Sequence, residues 1–294
     1  MIRMLALLLF ASTFSQTGST IPIEGGVMHY REFGEGDPLL VINGGPGMSS
    51  EGFTDLARKL SAYQRVILYD QRGTGRSVLE KTDSETITVD LMVQDIEMLR
   101  QHLGIGKWNV LGHSFGGMLA AHYAAKHPER IVKMIMSSSG GIDLGLTAYV
   151  QEEIENKLGK TGRDSLSYWT ARLETNETAR AGRARVLAPA YLHKPGNAPV
   201  IAKRLTEGNA QVNALVWQDL RRIGFDHGKS FSGFRQPVLV IQGKNDILRV
   251  STAQKIASSF VNSQLILLDK CGHYGWLDRP DSYFPLIEKF IKSN

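Results

Sequence analysis

The stretch WNVLGHSFGGMLAAHYAAK, residues 108–126, places one serine, Ser114, in a glycine run between an apolar segment and an alanine-rich one. Residues 108–111 are a short, near-continuous apolar run, the mark of a strand buried on both faces. The small residues at 120–125 suit a helix packed closely on such a sheet. Gly112 and Gly116 between them permit a sharp turn. The stretch therefore predicts strand, turn and helix in succession, with Ser114 at the carboxyl end of a buried strand.

Working outward, similar apolar runs occur at 39–42, 66–69, 132–136, 238–241 and 265–268. None alternates apolar with polar, so a parallel sheet covered by helices is expected. Residues 89–103 fit an amphipathic helix with Ile96, Leu99 and Leu103 on one side. Residues 23–33 read as an antiparallel hairpin broken at Gly25-Gly26. The fold class is α/β, a doubly wound, mostly parallel sheet. From 143 to 235 no strand run stands out, and segments such as YVQEEIENKLGK read as helical. The chain thus divides into a core of 19–142 and 236–294 and a helical cap inserted at 143–235. In the insertion, Tyr168, Trp169, Trp217 and Phe225 read as core rather than ligand contacts.

At 294 residues, 42% apolar and 21% charged, the chain is an ordinary globular protein. The net charge of +5 is scattered, with no basic run and no zinc-finger spacing, so nucleic acid is not an expected partner. Residues 1–18, MIRMLALLLFASTFSQTG, pass from Arg3 through an apolar run to small and polar residues. This pattern reads as a signal peptide, too short for a permanent span, and predicts a secreted or periplasmic protein with no stable membrane insertion. The single cysteine, Cys271, excludes an intrachain disulfide, and its C-x-H spacing to His273 reads as packing rather than a metal site. No metal or cofactor is expected.

Gly112-His113-Ser114-Phe115-Gly116 fits G-x-S-x-G in the strand–turn–helix setting that this motif needs. A serine hydroxyl attacks only when a base takes its proton. VLVIQGKND puts Asp246 just beyond one apolar run, and LILLDKCGHYGW puts His273 just beyond the next. The order Ser114, Asp246, His273 is that of the α/β-hydrolases, with His273 as base and Asp246 holding its tautomer. His113 is expected to point away from the nucleophile, His227 lies before the acid's strand, and Asp269 and Asp278 read as surface or loop-fixing groups. The loop Asn43-Gly44-Gly45-Pro46-Gly47 follows an early strand, so Gly45 N–H with Phe115 N–H is the expected oxyanion hole, Gly44 being the alternative donor. Asp70-Gln71-Arg72-Gly73-Thr74-Gly75-Arg76-Ser77 lacks the residues of a phosphate loop and reads as structural, with Asp70, Arg72 and Arg76 in internal ion pairs.

NGGPG at 43–47, DQRGTGRS at 70–77 and GHSFGG at 112–117 together resemble the proline iminopeptidase branch of the α/β-hydrolases. The resemblance covers roughly residues 25–140 and 236–292. It implies a serine peptidase that releases N-terminal proline from small peptides. An esterase or amidase using the same triad on amide or ester substrates is the alternative, and a non-catalytic binding protein a third. Asn43 departs from the family's usual His. The branch also holds the substrate's free amine with acidic residues in or near the cap. Glu207, Asp219 and Asp226 are the available carboxylates in the later cap, while Ile247 offers none where some relatives carry one.

Overall fold

The computed structural model describes residues 18–174, 176 and 178–293. The expected signal peptide, apart from Gly18, lies outside the described residues. The strands are β1 (Ser19–Ile23), β2 (Gly26–Phe33), β3 (Pro38–Ile42), β4 (Arg65–Tyr69), β5 (Val78–Leu79), β6 (Trp108–His113), β7 (Ile131–Ser137), β8 (Val238–Gly243) and β9 (Ser263–Leu268). The helices are α1 (Thr54–Leu60), α2 (Val89–His102), α3 (Phe115–Lys126), α4 (Val150–Thr170), α5 (Ala179–Leu187), α6 (Ala198–Thr206), α7 (Ala210–Arg222), α8 (Val250–Ser259), α9 (Gly275–Asp278) and α10 (Pro280–Lys292).

The sheet runs β1-β2-β4-β3-β6-β7-β8-β9, with β5 paired to β2. All pairings from β4 through β9 along this order are parallel, while β1, β2 and β5 form the antiparallel end. The hairpin starts at Ser19, earlier than the sequence suggested, because Ile21 and Ile23 alternate inward with exposed neighbours. The near-continuous apolar runs have a simple cause. Successive side chains leave a strand on opposite faces. Leu40 and Ile42 enter the core on one side, with Ile67, Val110 and Val240. Leu39 and Val41 enter the other, with Val66, Leu68, Leu111 and Ile241.

Helices α4 to α7 lie between β7 and β8, and an isolated antiparallel bridge joins Asp143 to Asp226 near the two ends of this insertion. Gly159, at φ 62° and ψ −175°, kinks α4. The cap aromatics divide between roles. Phe225 is core, Trp169 packs on Gly182, and exposed Tyr168 carries Arg172 over its ring.

The DQRG loop is a brace. Arg72 is fully buried and forks onto Asp95 of α2 at 2.7 and 2.8 Å. Asp70 accepts from the N–H groups of Ser50 (2.7 Å) and Arg76 (2.9 Å) and pairs with His29. Arg76 therefore meets Asp70 through its backbone. Removing one partner of a buried pair strands the other charge. Asp95→Ala is expected to destabilise the fold by about 3–5 kcal/mol, a drop in Tm of roughly 6–20 °C by calorimetry. A drop under 2 °C would show that the pair is not a brace.

Candidate active site

Ser114 sits between β6 and α3 with φ 56° and ψ −122°, a conformation that L residues rarely hold. Such strain costs on the order of 1–3 kcal/mol and persists only where the surroundings fix it. Four main-chain bonds do so. Ser114 N–H donates to Ser137 and Ser138 carbonyls, both at 3.1 Å, and its own carbonyl accepts from Gly117 and Gly140, both at 2.9 Å. The helix must also come close to β3. A methyl group on Gly116 would stand 2.1 Å from the Ile42 carbonyl oxygen. Phe115 opens α3, so its N–H lies outside the helix's own ladder.

The acid and base loops leave the ends of β8 and β9. They are joined by Asn245 N–H to Cys271 carbonyl at 2.9 Å. His273 Nδ1 lies 2.8 Å from Asp246 Oδ1, and both side chains are buried. Asp246 Oδ1 also accepts from Leu248 N–H at 3.1 Å. His273 is held from the cap as well, its N–H donating to the Tyr191 carbonyl at 2.8 Å. Asp278 is fully buried and accepts from the N–H groups of His193, Lys194 and Gly272, each at 2.8 Å, so it fixes the base loop. Asp269 is an exposed partner of Lys244. Burial pushes the Cys271 thiol up to about 12, with Asp278 and Asp246 adding to it.

His113 differs from expectation. Its ring centroid lies 4.7 Å from that of His273 and it lines the catalytic cavity. The sharp turn at Ser114 ends the strand's alternation, so the neighbouring side chain need not face the opposite way. Burial, then the nearby His273 and Arg204, hold its pKa well below the usual imidazole range.

The NGGPG loop presses against the nucleophile: a methyl group on Gly44 would stand 2.6 Å from Ser114 Cβ. Asn43 Nδ2 donates to the Gly44 and Met48 carbonyls at 3.1 Å, and Gln71 Nε2 donates to the Asn43 carbonyl at 2.9 Å. Asn43, the departure from the family's His, is thus a loop brace. A second brace comes from the cap. Arg204 of α6 is buried, lies over Phe53 at 4.8 Å, and donates through Nη2 to the Gly44 carbonyl at 2.6 Å. Gly44 C=O and Gly45 N–H belong to one trans peptide unit and point in opposite directions. Anchoring the carbonyl therefore aims the N–H away from Arg204.

Ser114, Phe115, His273, Gly44 and Gly45 share one cavity of about 250 Å³. Met118, Leu146, Val150, Ile154, Trp217 and Ile247 supply much of its apolar wall. A wider outer cleft of about 990 Å³ shares Ile154, Tyr191, Asn213 and Trp217 with it.

A family described as the alpha/beta hydrolase fold matches residues 37–280. The chain belongs to the α/β-hydrolases. It is 26% identical over 302 residues to a proline iminopeptidase of Lactobacillus acidophilus, covering 93% of this chain and 97% of that protein. It is likewise 26% identical over 288 residues to a proline iminopeptidase of Heyndrickxia coagulans, covering 94% and 99%. The solved structure of an esterase from Exiguobacterium antarcticum superposes with a TM-score of 0.72 at 18% identity, covering 94% and 100%. That last likeness is one of fold.

Within this α/β-hydrolase site, the three cap carboxylates expected to hold an amine stand elsewhere. Asp219 is buried and receives Val89 N–H at the start of α2 (2.8 Å) and the Arg222 guanidinium (2.6 Å), which ties α7 to the core. Asp226 is exposed and turns onto Gly228 N–H. Glu207 accepts from Ser49 Oγ at 3.1 Å, and none of the three lines the cavity. Their positions on or beside amphipathic helices give no sign of which neighbour each meets. Arg204, Asn213 and Trp217 are the cap residues that sequence reasoning missed or set aside. Arg204 lies three residues after buried Ile201, and a charge at that apolar-face spacing was the available signal. Asn213 and Trp217 are four apart on α7, hence on one face.

His227 is not near Ser114's partners but meets His122 of α3 at 2.8 Å, and His122 meets Asp90 at 2.7 Å. Burial is the main cause that lowers both imidazoles, His227 to about 4; Lys126 pulls both the same way, against Asp90 and Asp219 at His122 and Asp226 at His227. As pH falls from about 6.5 toward 4, the unfolded chain takes protons that the folded pair refuses, so stability falls over that window. In His227→Gln the loss of Tm between pH 6.5 and 4 is expected to be smaller than in the parent; equal slopes in the two proteins would contradict this.

Proposed function

We propose that this chain is a serine hydrolase that releases an N-terminal residue, proline foremost, from small peptides through an acyl-enzyme. The observation that carries the reading is the 2.8 Å contact of Asp246 with His273, which lines the same cavity as Ser114. Asp246 occupies Nδ1, which leaves Nε2 as the basic nitrogen. In the proposed reaction Nε2 takes the Ser114 proton as Oγ attacks the substrate carbonyl. Gly45 and Phe115 N–H groups receive the developing oxyanion. The imidazolium, stabilised by Asp246, then protonates the departing amine, and the C–N bond breaks. Water repeats the sequence on the ester. The relatives named as proline iminopeptidases favour proline as the released residue.

The export expected from residues 1–18 belongs to the same proposal, and the amino-terminal sequence of the mature protein tests it. A second reading, a carboxylesterase or amidase with the same triad, is favoured by the absence of a carboxylate from the cavity lining among the described residues.

Prolyl 2-naphthylamide tests the peptidase reading. Ser114→Ala is expected to abolish its turnover, a loss of roughly 10⁴-fold or more, with an unchanged Tm. Retained turnover would sink the assignment, and turnover of short acyl esters alone would favour the second reading. Arg204→Gln is expected to lower kcat by on the order of 10–10²-fold at nearly constant KM, because the donor is misaimed rather than the pocket emptied. A change confined to KM would contradict that role.

A further inference from the structure

We propose that the acyl pocket takes a compact acyl group in its uncharged form, so that an N-terminal amine enters as the free base and is met by Asn213 Oδ1. The inference rests on the serine-hydrolase reading above and narrows its substrate class.

The charges around the cavity carry the argument. An ammonium brought into a small apolar space needs a carboxylate partner, because burying an unpaired charge is very costly. Among the described residues the cavity wall holds none, and Ile247 places a hydrocarbon side chain next in sequence to Asp246. Asp246 is itself committed to His273 and Leu248 N–H. In the outer cleft Glu155 is tied to Gln151 Nε2 at 2.7 Å, and Arg163 and Arg183 share that lining. Arg183 stands close enough to Tyr191, and Arg204 to His113, for each cation to act on its neighbour's proton equilibrium. Two arginines against one carboxylate, Asp246, act on Tyr191, and two arginines stand against Glu155 in the outer cleft, so the fixed charge met by an incoming ammonium is net positive.

A neutral secondary amine makes the opposite demand. It carries one N–H that wants an acceptor and a ring that wants apolar contact. Asn213 supplies the acceptor. Its Nδ2 donates to the Pro46 carbonyl at 2.8 Å, which fixes the amide and leaves Oδ1 as its accepting end. Trp217, one helical turn along α7, supplies an aromatic wall beside it. A volume near 250 Å³ admits a five-membered ring.

The test compares prolyl methyl ester with methyl cyclopentanecarboxylate, its carbocyclic isostere, by pH-stat from pH 6 to 9. Esters are substrates under either reading, and prolyl 2-naphthylamide run alongside reports the peptidase reading separately. With an α-amine pKa of roughly 8, about 1% of the prolyl ester is free base at pH 6. The isostere-to-prolyl ratio of kcat/KM is expected to fall on the order of 10²-fold between pH 6 and 9. Asn213→Ala also removes the bond to the Pro46 carbonyl and so acts on both esters, but it is expected to lower the prolyl-to-isostere ratio of kcat/KM at pH 9 by about 5–10-fold, the loss of one hydrogen bond to the amine. A pH-independent ratio, or a prolyl ester preferred at pH 6, would mean that the ammonium is bound as such and would overturn the proposal. Asn213→Ala slowing both esters equally would overturn the role of Oδ1. If neither ester is turned over, the hydrolase reading fails and the inference falls with it. If the esters behave as expected but the naphthylamide is untouched, the inference stands and the peptidase reading fails.

Discussion

The site depends on the backbone of one residue. Ser114 is held at φ 56° between a strand and a helix, and a serine left to itself would relax. The restraint comes from the end of β7, whose Ser137 and Ser138 carbonyls take its N–H, and from the turn bonds of Gly117 and Gly140 to its carbonyl. The sheet is parallel at this point, so the ends of β3, β6, β8 and β9 open on the same side. Donor loop, nucleophile and base are therefore delivered to one cavity by topology, with the acid behind the base. Their fine placement is then set by short bonds between the loops and from the cap.

The cap acts on this arrangement as more than a roof. Arg204 crosses from α6 to the Gly44 carbonyl, and Tyr191 offers its carbonyl to His273 N–H. Both contacts reach groups that must be correctly aimed for acyl transfer. The cap is in turn pinned to the core by Asp219 at the start of α2. Displacing the cap would thus alter the aim of the donor and the base together with the shape of the pocket. Under the proposed reading, substrate choice and catalytic geometry are coupled through the same helices.

The sheet was legible in the sequence because its central strands are buried on both faces and appear as near-continuous apolar runs. Ser114, Asp246 and His273 were nameable because each follows such a run directly, and their placement needs only the strand order. The cap resisted for a physical reason. Asp219 and Asp226 lie on or beside an amphipathic helix, and sequence cannot say that one meets Val89 N–H, 130 residues away, while the other faces solvent. Arg204 was passed over because its partner is a backbone carbonyl, which leaves no mark in composition. His113 faced His273 because the strained turn breaks the alternation that a strand would have continued.

The most direct measurement is the mass of the folded protein after exposure to a fluorophosphonate, followed by peptide mapping. The account expects one adduct per chain, on the peptide containing Ser114. A folded protein that stays unlabelled, or an adduct on any other serine, would contradict it.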